Sequence, residues 1–527
     1  MKAKAGILFI FLGSVFLTSE KFVDTLESIK FYFTVLTVLT GIFFLFFQSS
    51  GIKSGIRKMF SVNVIKGLYL IGLIQAVYGI LQYIEIYPSH HKAFAVTGSF
   101  ENPAGFAAIL SLLFPIGIYW CIRSKRWEQR IVFFSAGLIF FSMILTGSRT
   151  GLLAAVISLV LILCLEYQVF AKIRIGWYFY VTMTVAVLFL TIGVFFLYQW
   201  KQDSVNGRLL VWKVSAEMIK DKPVFGFGHK GFQANYMDYQ SRYFERNPQS
   251  KLGQLADNVK HPFNEFIKIT VDYGIVGLLS ILLLLIFIFL KLYNKVHSLK
   301  PVLLGSYISF IILCCFSYPL QYVSVWILLG YFILSLFCEQ LPDKRLSPLI
   351  YFPIMAGCLW LFAFFFKRMN HEMEWKNIAV KSLQGQTRQM LRNYGELYQD
   401  MKWNEYFLYN YGAELHFAGQ YRQSMAVFHE CQKKYNDYDL QMLLADNHYH
   451  LGDTVKALQI YQYAGNMIPC RFLPLYHRME IYKENRNTSK AMEMAQKIVQ
   501  KPIKMRSATV NFIIEKARNY LNEQEIK

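Results

Sequence analysis

Residues 270–290 read TVDYGIVGLLSILLLLIFIFL, with Asp272 the one charged side chain among them. A helix needs roughly 20 apolar residues to cross the hydrocarbon core of a bilayer, and this segment has that length. Working outward, the pattern recurs. Eleven segments read as spans, at 4–19, 31–48, 63–84, 104–122, 131–147, 151–168, 177–198, 270–290, 302–317, 324–338 and 348–366. The first is short. The fifth and sixth are split only by the turn Gly147-Ser148-Arg149-Thr150-Gly151. No signal-peptide cleavage signature follows the first span, so it reads as a retained helix.

Composition agrees. The chain has 527 residues, 54% hydrophobic and 17% charged, where soluble domains carry about 25% charged residues. An ordinary cytosolic enzyme is thereby excluded, and so is disorder over most of the chain, because there is ample apolar surface to bury. The charge is unevenly spread: residues 1–366 hold 49 charged side chains, residues 367–527 hold 40. The expected fold is all-α, a polytopic helical membrane protein of about 11 spans followed by a soluble helical-repeat domain. The expected domains are 1–366, with a large extracytoplasmic loop at 199–269, and 367–527.

Lys and Arg in short loops set orientation. One alternate set of loops holds Lys53, Arg57, Lys58, Arg123, Lys125, Arg126, Arg130, Lys172, Arg174, Lys291, Lys295, Lys300, Lys344 and Arg345; the other holds Lys21, Lys30, Lys92 and Arg149. The basic set belongs in the cytoplasm. The net charge of +21 is then largely a topology signal, and no nucleic-acid partner is expected. The loop 85–103, Arg149, the segment 199–269 and, for an odd span count, the region 367–527 lie outside the cytoplasm.

Residues 404–502 carry a weak repeat of about 34 residues, the period of tetratricopeptide (TPR) helix pairs. Ser424, Ala457 and Ala491 are the small residues needed where two helices cross closely, and 505–523 reads as a capping helix. Such a domain is a docking surface for a protein partner. Cys431 and Cys470 would lie in an oxidising compartment and could pair; buried free thiols are the preferred reading.

A few side chains stand out chemically. Arg149 lies at the outer membrane boundary, where the flanking Gly147 and Gly151 permit a turn that presents it; the reading is an anion site, against simple interfacial anchoring. Arg208, in a stretch that reads as a helix start, shares a face with Trp212 four residues on, and guanidinium suits a pair of phosphate oxygens. Gly226-Phe227-Gly228-His229-Lys230-Gly231 follows no strand and is read as a turn rather than a nucleotide loop. Pro262 fits a helix first turn, which would put His261 at the helix start and Glu265 one turn later on a similar face, as general base and orienting group. His90-His91 gives no convergent ligand set, and neither a metal nor a cofactor is expected.

Taken in order, Gly98-Ser99-Phe100-Glu101-Asn102-Pro103, Thr146-Gly147-Ser148-Arg149-Thr150-Gly151, Arg208 with Trp212 and Pro223-Val224-Phe225-Gly226-Phe227-Gly228, and His261-Pro262-Phe263-Asn264-Glu265 with Asp272-Tyr273-Gly274-Ile275-Val276-Gly277 resemble the O-antigen ligase and polymerase superfamily of bacterial envelope glycosyltransferases. The resemblance covers roughly 1–366, and TPR repeats often follow the last span in that family. It implies a metal-independent, GT-C-like glycosyltransferase in the bacterial inner membrane with its C-terminal domain outside the cytoplasm. The donor would be a glycan on undecaprenyl pyrophosphate, and the acceptor a lipid A core or a protein Ser, Thr or Tyr hydroxyl. By the resemblance, Arg149 and Arg208 hold the pyrophosphate and His261 assists the acceptor hydroxyl, with Asn102, Trp212 and Asn264 in support. Many members have His directly before the Asn; here Phe263 stands there, so Glu265 remains the alternative base. A repeat-unit polymerase of the same superfamily is the second reading. A polysaccharide transporter or a membrane scaffold is the third; the transporter is disfavoured because ionisable residues gather at the outer ends of spans rather than deep within them, and a scaffold would tolerate loss of Arg149, Arg208 and His261 but not of 404–502.

Overall fold

The structure is a computed structural model that describes residues 2–46, 60–168, 202–294, 299–337 and 348–525. These residues are helical, without strand among them. The helices are α1 (Lys2–Phe16), α2 (Glu27–Phe46), α3 (Val62–Tyr83), α4 (Pro103–Arg123), α5 (Arg126–Leu145), α6 (Arg149–Glu166), α7 (Gln202–Asp221), α8 (Gly231–Arg246), α9 (Glu265–Asn294), α10 (Lys300–Phe316), α11 (Val323–Phe337) and α12 (Pro348–Lys381). They continue as α13 (Thr387–Met401), α14 (Glu405–Phe417), α15 (Tyr421–Gln432), α16 (Tyr438–His450), α17 (Thr454–Met467), α18 (Leu473–Glu484), α19 (Thr488–Gln500) and α20 (Ala508–Glu525). Seven helical stretches, α2 to α6, α9 and the one from Phe352, are long and apolar enough to cross a membrane, while α1, α10 and α11 are shorter apolar helices. The chain is a polytopic helical membrane protein. The expected span 177–198 lies outside the described residues, as do Lys53, Arg57, Lys58, Lys172, Arg174, Lys295, Lys344 and Arg345.

The chain forms two compact units that do not follow sequence order. The first takes in 1–197, 263–266 and 280–376; the second takes in 198–262, 267–279 and 377–527. Sequence composition put the division near 366. The second unit nevertheless includes most of the segment 199–269, because α8 is laid against α17 and the chain ahead of α16: Gln240 Nε2 donates to Met467 O at 2.7 Å, Ser241 Oγ to Tyr463 O at 3.1 Å, and Asn436 Nδ2 to Asp238 Oδ1 at 2.6 Å.

In the first unit α4 is the central helix. Phe106 through Leu113 are at most 1% exposed, and α3, α5, α6 and α10 surround them. Serines tie neighbouring helices together, Ser306 Oγ donating to Leu112 O at 2.8 Å and Ser309 Oγ to Ala154 O at 3.3 Å, an economical bond where no water competes. The outer faces of α5 and α9 expose Phe133, Phe134, Leu283 and Ile286. In water this would be a large apolar patch; in a bilayer it faces lipid.

In the second unit, α14 to α19 form three helix pairs, each joined by a three-residue turn: Ala418-Gly419-Gln420, Leu451-Gly452-Asp453 and Asn485-Arg486-Asn487. The middle residue is left-handed each time, at φ 80°, 83° and 55°. Ser424, Ala457 and Ala491 are fully buried within these pairs. Cys431 and Cys470 are buried free thiols.

Candidate functional site

Within the first unit the motif residues converge on the chain from Cys315 to Tyr322, which ends α10 and turns through a short 3-10 segment, Pro319–Gln321. Thr150, next to Arg149, donates from Oγ1 to Phe316 O at 3.3 Å. Asn264 Nδ2 donates to Cys315 O at 2.9 Å. The Glu265 carboxylate, 6% exposed, accepts from Leu320 N at 3.0 Å. Asn102 Oδ1 accepts from Tyr322 OH at 3.0 Å and caps α4 by accepting from Ala104 N at 2.9 Å. Lys30, fully buried, donates to Ser99 O at 2.6 Å, lies over the Phe100 ring and pairs with Glu27 at 3.3 Å, which fixes the loop before α4.

Arg149 is the first residue of α6. Ser148 caps it by accepting from Gly151 N at 3.4 Å. A cation at a helix N-terminus opposes the helix dipole, so this Arg does not serve helix stability. The two glycines flanking it have different purposes. Gly147 makes the turn at φ 64°. Gly151 lies in the helix, where a Cβ would meet the Ala107 Cβ at 2.8 Å; its role is close packing against α4.

Within the second unit, Arg208 stands in the second turn of α7, which is already helical at Gln202. The stretch around Arg208, expected to be a helix start, lies inside the helix, and Gly207 has open space at its Cβ position. Trp212 shares Arg208's face and donates from Nε1 to Pro262 O at 2.8 Å, tying α7 to the residue after His261.

The Gly-rich segment is a turn, as read, and its partner is the break in α9. Phe227 N donates to Val271 O at 2.9 Å, Gly228 N to Asp272 O at 2.7 Å and Ile275 N to Pro223 O at 2.8 Å. Helix α9 breaks at Gly274 (φ 66°, ψ −164°). The bonds to Val271 and Asp272 thereby satisfy carbonyls that a continuous helix would have used itself. The approach is close enough that a Cβ on Gly274 would lie 2.1 Å from Val224 O, and one on Gly226 2.5 Å from Val271 O. Asp272 is 1% exposed; it accepts from Phe232 N, in the first turn of α8, at 2.8 Å and from Lys268 Nζ at 2.8 Å. The one charge in the 270–290 stretch is therefore a tether at a helix N-terminus, not a charge left in lipid.

His261 departs from its expected setting. Helix α9 begins at Glu265, not at Pro262. Phe263 takes φ 55°, a conformation costly for a bulky side chain, and its ring meets Tyr318 edge-on at 5.7 Å. The left-handed residue turns the chain before Asn264, so His261 and Glu265 do not share a helix face. His261 is half-buried, and burial first, with the Lys268 and Lys260 charges second, pushes its pKa down to about 4.

The structure thus brings Asn102, Asn264, Glu265 and the α6 start together in one unit, and Trp212, Arg208's helix and the His261-Pro262 peptide in the other. Sequence reading missed Tyr318, Tyr322 and the 315–322 turn. Their only signal was the aromatic pair around Pro319, which resembles many loops. Asn102, Trp212 and Asn264 each make a hydrogen bond within their own unit.

Part of the chain is similar to known proteins. Residues 134–282 match the family profile described as O-antigen ligase. A protein of Rickettsia prowazekii (strain Madrid E) named as a candidate polysaccharide ligase is 28% identical over 141 residues, 26% of this chain and 32% of that protein. A similarly named Rickettsia felis protein is 27% identical over 141 residues, with the same shares. The chain spans about a third of the length of these curated relatives.

Proposed function

We propose that this chain, which the 134–282 match assigns to the O-antigen ligase superfamily, transfers a glycan from undecaprenyl pyrophosphate to an acceptor hydroxyl at the outer face of the bacterial cytoplasmic membrane. The acceptor is a lipid A core sugar or a protein Ser, Thr or Tyr. The observation that carries the reading is the placement of Arg149, Arg208, His261 and Glu265 inside the matched residues. The ligase names of the relatives support glycan transfer in general terms.

The chemistry runs as follows. The acceptor oxygen bonds to the anomeric carbon as the bond from that carbon to the phosphate oxygen breaks, and the electron pair of that bond leaves on the pyrophosphate. Arg149 and Arg208 hold the pyrophosphate and offset its growing charge. Arg149 does so at the start of α6, where the positive end of the helix dipole also favours an anion. His261 takes the acceptor proton. An imidazole held near 4 is neutral at pH 7, so it is in the accepting form, and a bound anion would raise its basicity as the reaction proceeds. Glu265 is the alternative base, its carboxylate held by the hydrogen bond from Leu320 N. The three helix pairs are TPR-like and serve as a docking surface for the acceptor or a protein partner outside the cytoplasm.

The test is Arg208→Lys. Lysine keeps the charge but not the planar fork. Transfer of lipid-linked glycan in membranes should fall at least about tenfold, the loss of roughly one good charged hydrogen bond. Unchanged transfer would remove Arg208 from the phosphate site.

A further inference from the structure

The second unit holds a cavity of about 370 Å³ between the end of α17, α18 and the end of α19, at the small end of ligand pockets. Four cations line it: Arg471, Arg478, Lys497 and Lys501. None of the described lining residues is Asp or Glu. Carboxylates do reach two of the four from outside the lining, Glu493 to Lys497 at 2.6 Å and Asp257 to Arg471 at 3.8 Å. Arg478 and Lys501 make no ion pair among the described residues, although the Glu493 carboxylate also acts on the Arg478 charge. The Arg478 Nε is buried and has no hydrogen-bond partner, an arrangement that costs free energy unless an acceptor is supplied. The Lys501 ammonium donates to Arg471 O at 2.8 Å, one of its three donors. The amides of Gln462, Asn466 and Gln500 and the Tyr461 hydroxyl are also in the lining.

We propose that this pocket binds the anionic group, carboxylate or phosphate, of a sugar-sized molecule. That the carrier is a sugar rests on the glycan-transfer reading; that the group is anionic rests on the pocket alone. Guanidinium and ammonium converging without a lining carboxylate select a negative charge. Burial holds the Lys501 amine down to about 8, which an adjacent anion would reverse by supplying a counter-charge.

The experiment is calorimetric titration of the full chain in phosphatidylcholine nanodiscs with D-glucuronate, glucose 6-phosphate and glucose. Both anionic sugars should bind saturably and glucose at least about tenfold more weakly. Arg478→Gln with Lys501→Gln should weaken the anions at least about tenfold. Lys497→Glu, at an exposed side chain that tolerates change, should do the same by placing a carboxylate in the lining. Binding should persist in Arg149→Gln with Arg208→Gln, which separates this pocket from the proposed pyrophosphate site: loss of transfer with retained binding leaves the pocket standing. Equal binding of glucose and glucuronate, no binding, or binding indifferent to residues 478, 497 and 501 would overturn it.

Discussion

His261 and Gly274 show how single residues carry this account. His261 titrates near 4 in the folded chain and near 6.5 when unfolded. Between those values the unfolded chain binds more protons, so stability falls as pH falls. The contribution of a neutral His261 is whole above about 6.5 and is lost as pH drops toward 4. The melting temperature of the wild type should decline more steeply from pH 6.5 to 4.5 than that of His261→Gln; parallel declines would contradict the burial of the imidazole. Gly274→Ala should cost about 2–4 kcal/mol, the upper range for single substitutions, because a Cβ would overlap the Val224 carbonyl and the residue must hold φ 66°. Thermal unfolding in detergent measures it. The two arginines and the histidine stand out in sequence because their chemistry is distinctive at a membrane boundary, and their site roles are proposals. The conformation of Phe263 was not: its left-handed turn accompanies a ring contact with Tyr318, which lies 55 positions further along the chain.

At the scale of elements, spans were the most legible feature, since apolar length is a local property. Ten of the eleven expected spans fall on described helices, and the eleventh lies outside the described residues. Helix starts were less legible. Pro262 suggested a first turn, yet α9 begins at Glu265, where the bonds of Asn264 and Glu265 to the 315–322 turn fix it. Those partners come from distant sequence, which no local pattern encodes. The helix pairs give a direct test of turn chemistry. Two of their turns place Gly at the left-handed position, and the third places Arg486, whose side chain is exposed. Arg486→Gly should therefore stabilise by about 0.5–1 kcal/mol, the left-handed penalty less the entropy cost of glycine. A rise in melting temperature of about one to three degrees is expected, and a fall would mean the Arg486 side chain makes a stabilising contact.

For the whole molecule, the contrast between an apolar first part and a more charged second part located the membrane helices. It did not anticipate that 198–262 and 267–279 would pack with the C-terminal helices. Composition averages over a segment, whereas that packing is decided by a few side chains on α8, chiefly Asp238, Gln240 and Ser241. The helices that would anchor the chain in the bilayer and the helices that would meet an acceptor are thus threaded through one another in sequence. The central claim is that the chain moves a finished glycan off undecaprenyl pyrophosphate. The most direct measurement is the size, by mass spectrometry, of the glycan left on that lipid when the chain is removed from its host or replaced by Arg149→Gln with Arg208→Gln. Long multi-repeat glycans stranded on the lipid are the predicted result, because polymerisation continues while transfer stops. Single repeat units on the lipid would contradict the claim and identify the chain as the polymerase instead.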